Sequence, residues 1–261
     1  MKRFFEEASH ARIYAQHRPS YPSSVLETVL KFCREKPHFV QDLAIDVGCG
    51  SGQFTQTLAP HFKAVIGTDV SKAQILNAQN TIKENSITFE VHAGEDLSFQ
   101  ADSSVDLLTC AQAFHWLDAK IFYREALRIL KPNGVLALIG YGNAILNRDA
   151  AMVPHEQFYN GALHDYWDPQ RKYIEEKYKN VDLPFPYIRV DTLCIERHWT
   201  VSEYVGYVRT WSAYQNYMKD HPGSQVLEDL QKKLEVIYAD TDSALEATWP
   251  IFILMGHNPA D

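Results

Sequence analysis

Apolar residues in the first half of the chain switch repeatedly between a helical and a strand period. In "PSSVLETVLKFCREK", Val25, Leu26, Val29, Leu30 and Phe32 recur at helical spacing behind Pro22, where a missing N–H costs little. "LAIDVG" follows as a short buried strand, and in "GQFTQTLAPHF" Phe54 and Leu58 lie one helical turn apart. "AVIGTDV" predicts a second strand. Ser71 is placed to cap "KAQILNAQNTIKEN", whose Ile75, Leu76, Gln79 and Ile82 trace one stripe. "ITFEVHAG" and "SVDLLTCAQAF" predict the third and fourth strands. Asp118 can cap "AKIFYREALRIL", where Phe122, Ala126, Leu127 and Leu130 repeat at helical spacing, and "KPNG" ends it with Pro132 and Gly134. "VLALIGYG" is apolar throughout, as the middle of a parallel sheet requires. Strands separated by helices in this order predict an α/β fold with an open, doubly wound, mostly parallel sheet.

The pattern changes after Gly142. The next forty or so residues are polar, aromatic and irregular, with helical pieces and no clear strand. "YIRVDTLCIERHWT" is strand-like again. "SEYVGYVRTWSAYQNY" reads as one helix, with Val205, Val208 and Ser212 on one side and Tyr204, Tyr207, Trp211 and Tyr214 on another. "SQVLEDLQKKLEVIYAD" is amphipathic, and "ATWPIFILMGHN" is a last apolar strand. The second half is therefore expected to complete the sheet and to lay a helical insertion over one end.

A length of 261 residues suits one large α/β domain. The net charge of −8, with no polybasic run, argues against a nucleic-acid partner. Cys33, Cys49, Cys110 and Cys194 are widely separated and include no CxxC pair, so reduced thiols are expected and no metal site. No segment approaches the roughly 18 apolar residues of a membrane span, and the N-terminus lacks the apolar run of a signal peptide. A cytoplasmic monomer is the default expectation.

The chemistry concentrates in "LAIDVGCGSGQFTQTL", where Asp46 ends a strand and Gly48, Gly50 and Gly52 follow. In doubly wound sheets ligands sit outside the carboxyl ends of the strands. A dinucleotide turn is GxGxxG, but Gln53 stands where its third glycine would be, which disfavours a pyrophosphate. Asp69, at the tip of the second strand and about 20 residues on, has the placement of a ribose-binding carboxylate. Its alternative is to cap the helix that starts near Ser71.

"AIDVGCGSGQFT", "VIGTDVS", "AGEDLSF", "VDLLTCAQAFHW" and "LRILKPNGVLAL" resemble the successive motifs of class I S-adenosylmethionine-dependent methyltransferases. "YAQHRPSYP" and "CAQAFHW" are similar to the branch containing trans-aconitate methyltransferases. The resemblance implies a Rossmann-like seven-stranded sheet with an antiparallel last strand. Residues 1–40 would form a cofactor-covering segment and helix, and 41–142 the cofactor core. Residues 143–186 and 200–240 would make the helical lid on the acceptor side, and 187–199 and 244–258 the final strands. The cofactor would be S-adenosyl-L-methionine: its methionine part near the backbone of Gly48 and Gly50, its ammonium near Asp46, its ribose on Asp69 beside Val70. Asp96, with Glu95, would lie near the adenine amine, and Gln112 or the backbone of Ala111 at the sulfonium end. Tyr14 and Arg18 would fold over the filled site.

His115 and Trp116 follow the fourth strand, where the acceptor would approach. His115 is either a catalytic group or a hydrogen-bonded structural one. A carboxylate acceptor is already ionised near neutral pH and needs no base, but it needs a cation to hold its remaining carboxylates. Arg18 and Arg209 are the candidates for this, the alternative for Arg209 being an exposed helix residue. Tyr141, Trp167, Trp211 and Tyr214, with Trp116, are candidates for the acceptor pocket or for core. The function expected is methyl transfer to a small molecule, such as a carboxylate oxygen of a polycarboxylate metabolite. The alternatives are a NAD-binding oxidoreductase and a non-catalytic S-adenosylmethionine-binding protein.

Overall fold

The computed structural model describes residues 20–37, 39–239 and 244–259. Tyr14 and Arg18 lie outside them. The first half is the predicted alternation: α1 (Ser23–Cys33), β1 (Leu43–Val47), α2 (Thr55–Leu58), β2 (Ala64–Asp69), α3 (Lys72–Thr81), β3 (Ile87–Val91), β4 (Val105–Ala111), α4 (Ala119–Ile129) and β5 (Leu130–Tyr141). Strands β1 to β5 are parallel, in the order β3-β2-β1-β4-β5. The order reverses at β1, so the carboxyl ends of β1 and β4 diverge and leave the crevice in which ligands of such sheets bind.

Local chemistry explains the boundaries. Ser71 and Asp118 are the N-caps of α3 and α4, accepting from Gln74 N–H and from Lys120 and Ile121 N–H respectively. Asp106, 2 % exposed, accepts from the N–H groups of Asp42 and Leu43 and pairs with Lys131 Nζ at 2.8 Å, which ties the start of β1 to β4 and β5. "KPNG" ends α4 as expected but becomes a bulge at the start of β5. Asn133 takes φ +63°, and the register against β4 shifts between Val105 and Leu107. Two residues expected on helical core stripes face outward instead: Leu76 is 48 % and Leu127 40 % exposed, while Gln74 and Ala78 fill the buried face of α3.

The second half supplies β6 (Ile145–Leu146), α5 (Asp149–Glu156), a π-helical turn at Gln157–Ala162, a 3-10 turn at His164–Tyr166 and α6 (Arg171–Glu175). Then come β7 (Tyr187–Val190), β8 (Cys194–Trp199), α7 (Val201–Arg209), α8 (Ser212–Asp220), α9 (Val226–Tyr238) and β9 (Leu245–His257). Strand β9 is antiparallel to β5, as expected of the last strand. Among the described residues the sheet has nine strands rather than seven, because β9 is long and serves two sets of partners. Its second half pairs with β5 and β7, and its first half with β6 and β8. The change falls at Pro250, which has no N–H to give to a ladder, and Asp191–Leu193 bulge opposite Ile251 and Phe252 just after it and split the expected 187–199 strand in two. The expected single helix from Ser202 to Tyr217 is also two, broken at Thr210 and Trp211. Thr210 Oγ1 donates to Tyr207 O at 2.6 Å and ends α7.

Candidate active site

The three glycines after β1 have three separate reasons. Gly48 has φ +68°, and a Cβ there would lie 2.4 Å from Ala113 Cβ, so it lets two loops touch. Gly52, at φ +82°, makes room for Ile82 and Phe89. Gly50, at φ +55°, has nothing within 4 Å of its Cβ direction and lines a cavity at the carboxyl ends of β1, β2 and β4. Only Gly50 leaves space for something outside the fold.

Two carboxylates flank that space. Asp46 is fully buried, with Thr55 Oγ1 donating to its Oδ2 and Thr109 Oγ1 to its Oδ1, each at 2.7 Å. Burial pushes its carboxyl up to about 6, against the opposing pull of the two threonine hydroxyls. Asp69 accepts from Gly50 N–H on Oδ2 at 2.9 Å and from Ser71 N–H on Oδ1 at 2.8 Å. The two expected roles of Asp69 thus coexist geometrically: it braces the helix start and the glycine loop, and each oxygen keeps acceptor capacity toward the cavity. Burial raises its carboxyl as well.

Of the other expected residues, Val70, Ala111 and Gln112 line the cavity. Gln112 sits at φ +56°, and its amide is committed: Nε2 donates to Tyr141 O at 3.1 Å and Oε1 accepts from Tyr141 N–H at 2.9 Å. This side chain extends the β4–β5 ladder by one artificial rung. Glu95 and Asp96 are absent from the cavity wall. Glu95 Oε1 accepts from Asp118 N–H, and Asp96 Oδ1 accepts from the N–H and hydroxyl of Ser98 in an exposed turn. His92 and Gly94 of the same loop face inward instead.

On the other side, His115, Trp116, Tyr141, Trp167 and Trp211 line the cavity as expected. His115 is 6 % exposed, with Nδ1 3.1 Å from the Tyr178 hydroxyl. Tyr214 is core, packed on Phe158 away from the wall. Arg209 is exposed and does not reach the cavity. Tyr207, on α7, and Trp211, just past its end, line the cavity, whereas Arg209, two positions after Tyr207, lies about 200° around the helix from it.

Among the described residues, the arginine that faces the cavity is Arg171, which the sequence reading missed. Its Nε donates to the Tyr159 hydroxyl at 3.0 Å, its Nη2 to Asn143 Oδ1, and its Cζ lies 4.9 Å from the Trp167 ring centroid. Trp167 in turn packs at a tilt on Tyr159, with ring centroids 4.5 Å apart, and donates from Nε1 to Tyr159 O. Asp168 and Tyr207 also line this side.

A doubly wound sheet with an open glycine turn and acids at the tips of β1 and β2 defines a Rossmann-like fold that receives a nucleoside-bearing ligand. Comparison with known proteins makes this specific. The family described as "Methyltransferase domain" matches residues 45–138. A "Putative methyltransferase" of Dictyostelium discoideum is 34 % identical over 252 residues, covering 95 % of this chain and 92 % of that protein. The "Probable S-adenosylmethionine-dependent methyltransferase CRG1" of Saccharomyces cerevisiae is 24 % identical, covering 94 % of each. A solved structure titled "Putative Type II Methyltransferase", from Anaeromyxobacter dehalogenans, superposes with a TM-score of 0.77 at 30 % identity, over 94 % of this chain and 99 % of that one.

The chain belongs to the class I S-adenosylmethionine-dependent methyltransferases, and its cofactor is S-adenosyl-L-methionine. That membership sets aside the oxidoreductase and the non-catalytic alternative. The residues present fit the cofactor. The turn at Gly50 is open where a Cβ would stand, and acceptor-rich acids face a ligand that carries two cationic groups and two ribose hydroxyls. No helix among the described residues is long and apolar enough to cross a membrane.

Proposed function

We propose that the protein methylates a carboxylate oxygen of a small acceptor held by Arg171 against the aromatic wall. The observation that carries this reading is that Arg171 is the one Lys or Arg side chain among the described residues lining the cavity. When bound, S-adenosyl-L-methionine supplies a methyl group made electrophilic by its positive sulfur. Asp69 would accept hydrogen bonds from the ribose hydroxyls, Asp46 would face the ammonium, and Val70 would flank the adenosine. The backbone of Gly48 and Gly50 would border the methionine part, and Ala111 the sulfonium end.

The acceptor side is built from Tyr21, Trp167, Arg171, Tyr207 and Trp211, drawn from both lid segments and from the residues before α1. These side chains exclude water and orient the acceptor, which is where most of the acceleration of an in-line displacement arises. A carboxylate nucleophile is ionised near pH 7, so no proton need be moved. His115, fixed by Tyr178, acts as wall rather than base. With Arg171 holding a second carboxylate, a dicarboxylate would meet one cation at each end, in keeping with the resemblance to the trans-aconitate branch.

Turnover on a panel of acids, phenols and amines, read by transfer of labelled methyl, tests this reading. Base-labile methyl esters from dicarboxylic acids are expected. Methylation of phenols or amines, with the acids inert, would refute it.

A further inference from the structure

Two side-chain oxygens in the cavity wall are buried without hydrogen-bond partners among the described residues. Gln74, on the first turn of α3, is 2 % exposed, and Ser51, in the glycine loop, is 7 % exposed. Both line the cavity, and among the described residues neither Gln74 Oε1 nor Ser51 Oγ has a hydrogen-bond partner. Such atoms are uncommon in folded proteins, because each keeps the full cost of leaving water. The backbone around them is satisfied: Gln74 N–H donates to Ser71 Oγ, and Gly52 N–H to Cys49 O. The fold therefore had local partners at hand and left these two side chains open.

Their placement brackets Asp69. Ser51 follows Gly50, whose N–H holds one Asp69 oxygen, and Gln74 stands three residues past Ser71, whose N–H holds the other. We propose that Gln74 and Ser51 are cofactor-binding residues, whose unpartnered side-chain groups are completed by polar groups of the bound S-adenosyl-L-methionine on either side of those gripped by Asp69. The inference rests on the reading of this cavity end as the cofactor site. Ser51 Oγ is both donor and acceptor and suits the carboxylate or ammonium of the methionine part. The Gln74 amide suits the hydroxyl or amine hydrogens of the adenosine part. The open polar groups make the empty site less stable than an apolar wall would be, and the filled site recovers that cost.

This gives two readouts that move in opposite directions. Gln74→Met keeps length and volume while removing the amide, and Ser51→Ala removes only the hydroxyl. Each variant is titrated calorimetrically with S-adenosylhomocysteine, and each is melted with and without it. The expected result is a Kd raised about tenfold in each variant, a smaller melting shift on adding S-adenosylhomocysteine, and an apo Tm equal to or above that of the parent. A structural role predicts a lower apo Tm with an unchanged ligand-induced shift. A Kd within twofold of the parent in both variants overturns the proposal, whatever the apo Tm does. Asp69→Ala, run alongside, separates the two levels: if it also leaves Kd unchanged, the cofactor-site reading itself fails.

Discussion

Replacing Asp46 with asparagine isolates the cost of a buried charge that waits for a cation. The carboxyl is fully buried and has two neutral hydroxyl donors and no positive partner among the described residues, so its value is raised from 3.8 to about 6. Because the folded value lies above the unfolded one, the stabilising contribution is complete below about pH 4 and is lost as pH rises through about 6. A shift of about two units corresponds to roughly 3 kcal/mol between the two protonation states. Asp46→Asn is neutral and keeps the shape. The apo variant should therefore be more stable than the parent at pH 8, by up to about 3 kcal/mol, and by only about 1 kcal/mol at pH 4.5, a gap that closes below about pH 4. Urea denaturation of both apo proteins at the two pH values measures this. The same substitution should weaken S-adenosylmethionine binding at pH 8, because the ammonium loses its counter-charge, and parent affinity should fall as pH drops below about 6. A stability difference that is the same at both pH values would refute the reasoning.

Arg171→Gln should lower kcat/KM for a carboxylate acceptor by roughly 10- to 150-fold, the loss of a charged hydrogen bond worth about 1.5–3 kcal/mol, with S-adenosylhomocysteine affinity unchanged by calorimetry. Arg209→Ala should leave the acceptor KM where it was, since Arg209 is exposed and off the cavity wall. Gly48→Ala and Gly50→Ala should separate packing from binding. The first sets a Cβ 2.4 Å from Ala113 Cβ and should cost about 2–4 kcal/mol in denaturant melts. The second meets nothing within 4 Å and should cost only about 1–2 kcal/mol, yet lose most cofactor affinity in the same calorimetric assay.

The cofactor half was legible because each of its features has a sequence signature. Strand periods, the Ser71 and Asp118 caps, the glycine turn and the acid at the tip of β2 are all local patterns, and all are found where read. The lid was not legible, because its chemistry is not periodic. Arg171 follows a π-helical turn and a 3-10 turn, neither of which leaves a repeat to read, and its orientation is set by Asn143, Tyr159 and Trp167 from different elements. Arg209 was misplaced because one continuous helix was projected through Thr210, where the structure breaks in two. Glu95 and Asp96 show a different limit. Both acids sit in the expected loop, but one serves the Asp118 backbone and the other its own turn, a choice that composition does not reveal. The Gln112 amide likewise spends both of its ends on Tyr141, which only the register of β4 against β5 discloses.

The central claim is that the turn after β1 and the carboxylate at the tip of β2 together form the seat of the cofactor. A crystal structure with S-adenosylhomocysteine tests it most directly. The account predicts both ribose hydroxyls within hydrogen-bond distance of Asp69 and the homocysteine chain passing Gly50. Density for the nucleoside at any other place on the protein, with the Gly50 turn unchanged, would contradict it.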